Sequence, residues 1–269
     1  MEKTTFVLVT DQNYFFKASV TIHDLRTVGK WEGDLVLITI DFNLEEEYKR
    51  QNNIQEVKFP QIDKTELLKQ IGENGFENSD KRELNKLNQW EKFHVFDEYF
   101  RRWQRVVYLD AGLRVLDDVK YILELDYKNK ILAPIDGLRP FDIFQHQIDH
   151  KNAEKIEEMK EEFGEEIFPS HFMLNCMWVY DTEILNICSK DELIKAMNKY
   201  PVCRTNEMGI MNLLLHFKYK LWERFPFTAS HGKYLFEWSD LNKPNTTWRN
   251  YCFLKYPVTI HLHQTVNSC

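Results

Sequence analysis

The sequence predicts an α/β protein with a mostly parallel central sheet flanked by helices. Short, nearly unbroken apolar runs, Phe6-Val7-Leu8-Val9, Leu35-Val36-Leu37-Ile38 and Val106-Val107-Tyr108-Leu109, fit strands buried on both faces of a parallel sheet. Helix-like stretches separate them, as in a βαβαβ unit with right-handed crossovers. At 269 residues and 43% hydrophobic content, the chain can build one large core.

Taken in order, residues 6–10 read as the first strand and 11–28 as a turn and helix. Residues 34–40 form the second strand, 44–51 a polar helix, and 55–59 a weaker third strand ended by Pro60. Residues 63–80, with Gly72 and Gly75, read as an irregular connection, and 82–103 as one long helix. The next strand, 105–110, ends on an acid. A helix over 117–125 and a strand over 130–133 follow. The charged run 149–164 reads as a solvated helix or a mobile lid. A strand-like segment covers 172–180, helices cover 191–200 and 206–220, and 259–263 closes the chain as a strand. There is no internal repeat and no clear linker, so 1–269 reads as a single domain.

The formal net charge is -7, which argues against nucleic acid as the main partner. A small phosphate-bearing ligand needs only a local positive site. Aromatic residues make up 14% of the chain, which suits both cores and sugar-binding surfaces. The five cysteines have neither disulfide nor zinc spacing and read as reduced thiols. With no signal-peptide pattern and no apolar run of membrane-spanning length, the expectation is a cytoplasmic protein without a membrane span.

Chemistry could sit at the ends of several segments. Thr10-Asp11-Asn13-Tyr14 closes the first strand without any glycine-rich phosphate fingerprint; it either holds a nucleobase and ribose or simply caps a helix. Lys92, in Lys92-Phe93-His94-Val95-Phe96, shares a helix with core aromatics, where a charge is costly unless a phosphate or acid uses it; an exposed lysine is the plainer reading. Asp110-Ala111-Gly112 follows a buried strand, at the edge where open parallel sheets bind ligands. Its carboxylate suits a metal, a ribose or a helix cap. His261 and His263, two apart on a strand, face the same side and could share an ion.

In this order the segments resemble the retaining glycosyltransferases of the GT-A fold, and most of all the glycogenin-like family 8 enzymes. That resemblance implies a Rossmann-like GT-A (nucleotide-diphospho-sugar transferase) fold. Residues 1–125 would form the nucleotide-binding half and 126–269 the half for acceptor and donor sugar. Asp110 matches the first acid of the family's Asp-x-Asp motif, and Asn175 falls in the segment resembling its Asn-Ser-Gly strand. Glu207 opens the segment resembling its Asp-Gln-Gly helix start, and His261 lies where its terminal metal histidine stands.

The resemblance implies transfer of sugar from a nucleoside diphosphate sugar, a UDP-sugar, to a carbohydrate, protein or other hydroxyl acceptor, with retention. It assigns Lys92, Asn175 and Glu207 to catalysis, and Thr10, Asp11, Asn13, Tyr14, Lys92, Asp110, Ala111 and Gly112 to the nucleotide. Asp110, His261 and His263 would hold a divalent metal, Mn2+ or Mg2+. Gly112 replaces the second acid of Asp-x-Asp, which implies fewer protein ligands on the metal, metal-independent transfer, or an inactive nucleotide-sugar-binding relative. A sugar-1-phosphate nucleotidyltransferase is a further alternative, weakened by the missing glycine-rich loop.

Overall fold

The computed structural model describes residues 3–73, 84–135, 142–148, 150, 152–201, 207–238 and 250–255. The chain opens with β1 (Thr4–Thr10), α1 (Phe15–Thr27), β2 (Asp34–Thr39), α2 (Glu46–Gln51), β3 (Ile54–Val57) and α3 (Thr65–Glu73). Two 3-10 helical segments, Leu84–Phe96 and Glu98–Arg102, lead into β4 (Arg105–Leu109), β5 (Leu113–Val115), α4 (Lys120–Leu123) and β6 (Ile131–Ala133). Then come α5 (Ala153–Phe163), β7 (Met177–Asp181), α6 (Lys190–Lys199) and α7 (Glu207–Met211), which runs on as π-helix through Asn212–Lys218. The last described elements are β8 (Trp222–Arg224), β9 (Tyr234–Trp238) and β10 (Tyr251–Lys255).

The main sheet has seven strands in the order β3-β2-β1-β4-β7-β6-β8. The β3/β2, β2/β1, β1/β4 and β6/β8 pairs are parallel, while β7 runs antiparallel to both β4 and β6. This is the mostly parallel sheet the apolar runs predict. Phe6, Val7, Leu8, Val36, Leu37, Val106 and Val107 bury both faces of the central strands, which excludes water from their backbone bonds. On α1, Ala18, Ile22 and Leu25 recur at helical spacing on the buried side.

A second, three-stranded sheet, β5-β10-β9, was not anticipated. Other differences are local. The expected helix over 82–103 is 3-10 rather than α where described, and part of the expected irregular stretch 63–80 is helix, Thr65–Glu73. The charged run forms α5, which buries Ile156 and Met159 against the core and turns its acids outward, so it is an amphipathic surface helix. The predicted strand 259–263 lies outside the described residues. Cys176, Cys188 and Cys252 are free thiols. No helix among the described residues is long and apolar enough to cross a membrane.

Candidate functional site

Several elements converge at the C-terminal edge of β4. The strand is fully buried and delivers Asp110 as the first residue past its end. The β4/β7 register pairs Leu109 with Met177, and the Asp110 amide donates to the Cys176 carbonyl at 2.9 Å, so Asn175 arrives directly beside the acid. The α7 start is held there by Asn212. Its side chain accepts from the Met173 amide at 2.7 Å and donates to the Met173 and Met208 carbonyls at 3.0 and 2.9 Å. That clamp ties the segment leading into β7, which carries Asn175, to the helix carrying Glu207.

Lys92 comes from the 3-10 segment, flanked by buried Trp90, Phe93, Val95 and Phe96. Only 6% exposed, it places Nζ 2.9 Å from Asp110 Oδ1 and 2.8 Å from Glu207 Oε1. Asn175 Nδ2 donates to the same Glu207 oxygen at 2.5 Å. Glu207 is completely buried, and its other oxygen, Oε2, has no hydrogen-bond partner. Tyr108 donates its hydroxyl to Asp110 Oδ1 at 2.7 Å, and Lys255 Nζ lies 3.1 Å from Asp110 Oδ2 and 3.2 Å from the Ala111 carbonyl oxygen. Two ammoniums and two carboxylates therefore alternate through one connected cluster.

The electrostatics follow. Burial raises the Asp110 carboxyl, but the ammoniums of Lys255 and Lys92 and the Tyr108 hydroxyl outweigh it and bring it down to about 2. Burial pushes the Glu207 carboxyl up, and the single ammonium of Lys92 offsets only part of that. Burial works against the Lys92 charge too, yet Asp110 and Glu207 more than compensate and hold it protonated. Burial also keeps the Tyr108 phenol well above its ordinary range, so it remains an O–H donor.

The end of β1 adjoins this cluster through α1. The Gly112 amide donates to the Lys17 carbonyl at 3.2 Å and to Thr21 Oγ1 at 3.0 Å. Thr10 is buried, and its hydroxyl donates to the Asp11 carbonyl at 3.0 Å. Asp11 is buried as well; one oxygen accepts from the Tyr14 amide at 2.8 Å and the other from Asn88 Nδ2 at 2.8 Å. Both residues thus brace the turn. Asn13 and Tyr14 are exposed, and the Tyr14 ring carries Lys17 Nζ at 4.4 Å from its centroid.

Of the predicted residues, Lys92, Asp110, Asn175 and Glu207 meet in one cluster, with Ala111 and Gly112 on its rim. His261 and His263 lie outside the described residues. The described donors do not fit a divalent cation. Asp110 has both oxygens engaged by ammoniums, Gly112 has no side chain, and no group of three His, Cys, Asp or Glu residues able to hold a metal occurs among the described residues. Lys255, Tyr108 and Asn88 were missed. The signal for Lys255 was there in Tyr251-Cys252-Phe253-Leu254-Lys255, an apolar strand ending on a charge.

The model of glycosyl transferase family 8 matches residues 5–174, more than half of the chain, including Lys92 and Asp110. The chain belongs to glycosyl transferase family 8. No curated protein matches it in sequence. Solved structures similar to this family 8 chain include several glycosyltransferases. WbbM, a bifunctional glycosyltransferase in its apo form, aligns at TM-score 0.60 and 13% identity over 96% of this chain. The alignment spans 46% of WbbM. The galactosyltransferase LgtC, in complex with donor and acceptor sugar analogs, aligns at 0.58 and 14% identity, over 94% of this chain and 87% of its own. Core-mannan synthase A from Aspergillus fumigatus, in a Mn/GDP form, aligns at 0.51 and 11% identity, over 84% and 73%. At such identities these likenesses establish the fold, which is the GT-A fold predicted.

Proposed function

We propose that this family 8 chain transfers a sugar from a nucleoside diphosphate sugar, a UDP-sugar in the first instance, to a hydroxyl acceptor with retention. The observation that carries the reading is the Lys92–Asp110–Glu207–Asn175 cluster at the C-terminal edge of β4, the position where open α/β sheets bind ligands. Residues 1–125 supply most of the nucleotide site and 126–269 most of the sugar site. Exposed Tyr14 offers a stacking face for the base, with Asn13 beside it. Lys92 supplies positive charge where the leaving diphosphate gains negative charge. Asn175, half-buried, reaches the donor sugar. Glu207 has no exposed surface, so it acts on the reacting centre through Lys92 and Asn175, fixing their positions. Lining the diphosphate with fixed charges lowers the barrier because they need no reorganisation as charge develops.

The test is a thermal-shift screen of UDP- and GDP-sugars, followed by chromatography of released nucleotide with a panel of sugar acceptors. A ligand that prefers the folded state raises the melting temperature. The expected result is a shift with at least one donor and acceptor-dependent nucleotide release. No shift and no release with any donor would remove the proposal.

A further inference from the structure

We propose that the Lys255 ammonium is the built-in cation of the donor diphosphate, and that this chain binds and transfers without a divalent ion. The inference rests on the donor-site reading above and adds the identity of the charge that neutralises the leaving group. Lys255 is the last residue of β10, and the antiparallel β10/β5 register places it opposite Leu113, immediately after the Asp110-Ala111-Gly112 turn. Its Nζ sits between two oxygens, Asp110 Oδ2 at 3.1 Å and the Ala111 carbonyl at 3.2 Å. Those are the oxygens that the end of β4 would offer to a metal. Here they hold an ammonium.

Three features make this a built position. The side chain is 15% exposed, so part of it is open to a ligand while its stem is packed. A sheet register, not a loop, fixes its backbone. Lys92, 2.9 Å from the other Asp110 oxygen, provides a second ammonium on the same carboxylate. A divalent ion bound to Asp110 would sit against two ammoniums, and the glycine at 112 gives it no side-chain oxygen there. A fixed ammonium does the electrostatic part of a metal's task, stabilising charge on phosphate oxygens.

In the transfer, the bond from the anomeric carbon to the diphosphate oxygen breaks and its electron pair goes to that oxygen, beside Lys255. A new bond forms from the anomeric carbon to the acceptor oxygen, and the acceptor's hydroxyl proton ends on the released diphosphate. Nothing is oxidised or reduced.

The experiment is calorimetric titration of UDP and of GDP into the full chain, in EDTA and in Mn2+, for wild type, Lys255→Met and Lys255→Arg. Asp110 keeps Lys92 and Tyr108 in either variant, so both fold, as their melting temperatures will show. Expected are Kd values that agree within about 3-fold between EDTA and Mn2+ for wild type, at least about 10-fold weaker binding in EDTA for Lys255→Met, and recovery to within about 3-fold for Lys255→Arg, in keeping with a charge-assisted phosphate contact. Wild-type binding that tightens 10-fold or more with Mn2+ overturns the inference while leaving the donor site intact. So does unchanged binding by Lys255→Met in EDTA. Absence of binding by wild type in both buffers overturns the donor-site reading and this inference with it.

Discussion

Glu207 Oε1 lies 2.8 Å from Lys92 Nζ, and this contact carries a completely buried carboxylate whose second oxygen has no partner. A buried acid in such a place would ordinarily be lost to protonation or to rearrangement. Asn212 prevents rearrangement by clamping the start of the helix to Met173, and Asn175 adds a second donor to Oε1. The pair is therefore both a structural fixture and the reason Lys92 points at Asp110.

Removing one partner should expose that dependence. Lys92→Met leaves Glu207 without a cation and should cost about 3 kcal/mol, the low end for an orphaned buried charge. Adding Glu207→Gln should restore more than half of the loss, since an amide needs no countercharge. Urea denaturation of the single and double variants measures both steps. A single variant as stable as wild type would mean that the pair carries no stability.

Acid should weaken the fold through Asp110. Its carboxyl is brought from 3.8 in the unfolded chain to about 2 in the folded protein, so the native state binds fewer protons in that interval. Stability from this group is complete above about 3.8 and is lost as pH falls toward 2, an effect on the order of 2 kcal/mol. Chemical denaturation from pH 5 to pH 2 should show a shallower decline for Asp110→Asn than for wild type. Equal declines would contradict the assignment.

Gly112 adopts φ +84, a backbone region that side-chain-bearing residues enter at a cost. A Cβ there would meet nothing nearer than Lys17 Cβ at 3.5 Å, an ordinary contact. Gly112→Ala should therefore destabilise by about 1–2 kcal/mol through the backbone alone. A denaturation midpoint matching wild type would show that the turn relaxes.

Tyr14 is 44% exposed, so replacing it should leave the fold intact. If its ring carries the nucleobase, Tyr14→Ala should weaken nucleotide binding by about 1–3 kcal/mol, the usual worth of a base–aromatic stack. Calorimetry with the best nucleotide checks the first effect and the melting temperature checks the second. Unchanged affinity would place the base elsewhere.

Much of the candidate site was legible because its signals are local. An acid directly after Val106-Val107-Tyr108-Leu109 and a lysine among core aromatics break the apolar pattern, and both turned out to need each other. Lys255 broke the same kind of pattern, but its meaning depends on the register of β10 against β5, residues far apart in sequence, and no local period encodes that. The 3-10 geometry of Leu84–Phe96 was likewise illegible, since its apolar spacing also fits an α-helix. Thr10 and Asp11 looked ligand-facing by position, yet the turn uses their polar atoms itself.

The most direct test of the account uses the donor found by screening and compares nucleotide release by wild type with that by Lys92→Met/Glu207→Gln, whose folding is checked by denaturation. Expected is a fall in kcat/KM of at least ~100-fold, as for loss of a charge that stabilises the leaving group. A value within ~3-fold of wild type would contradict the claim that this cluster handles the donor's diphosphate.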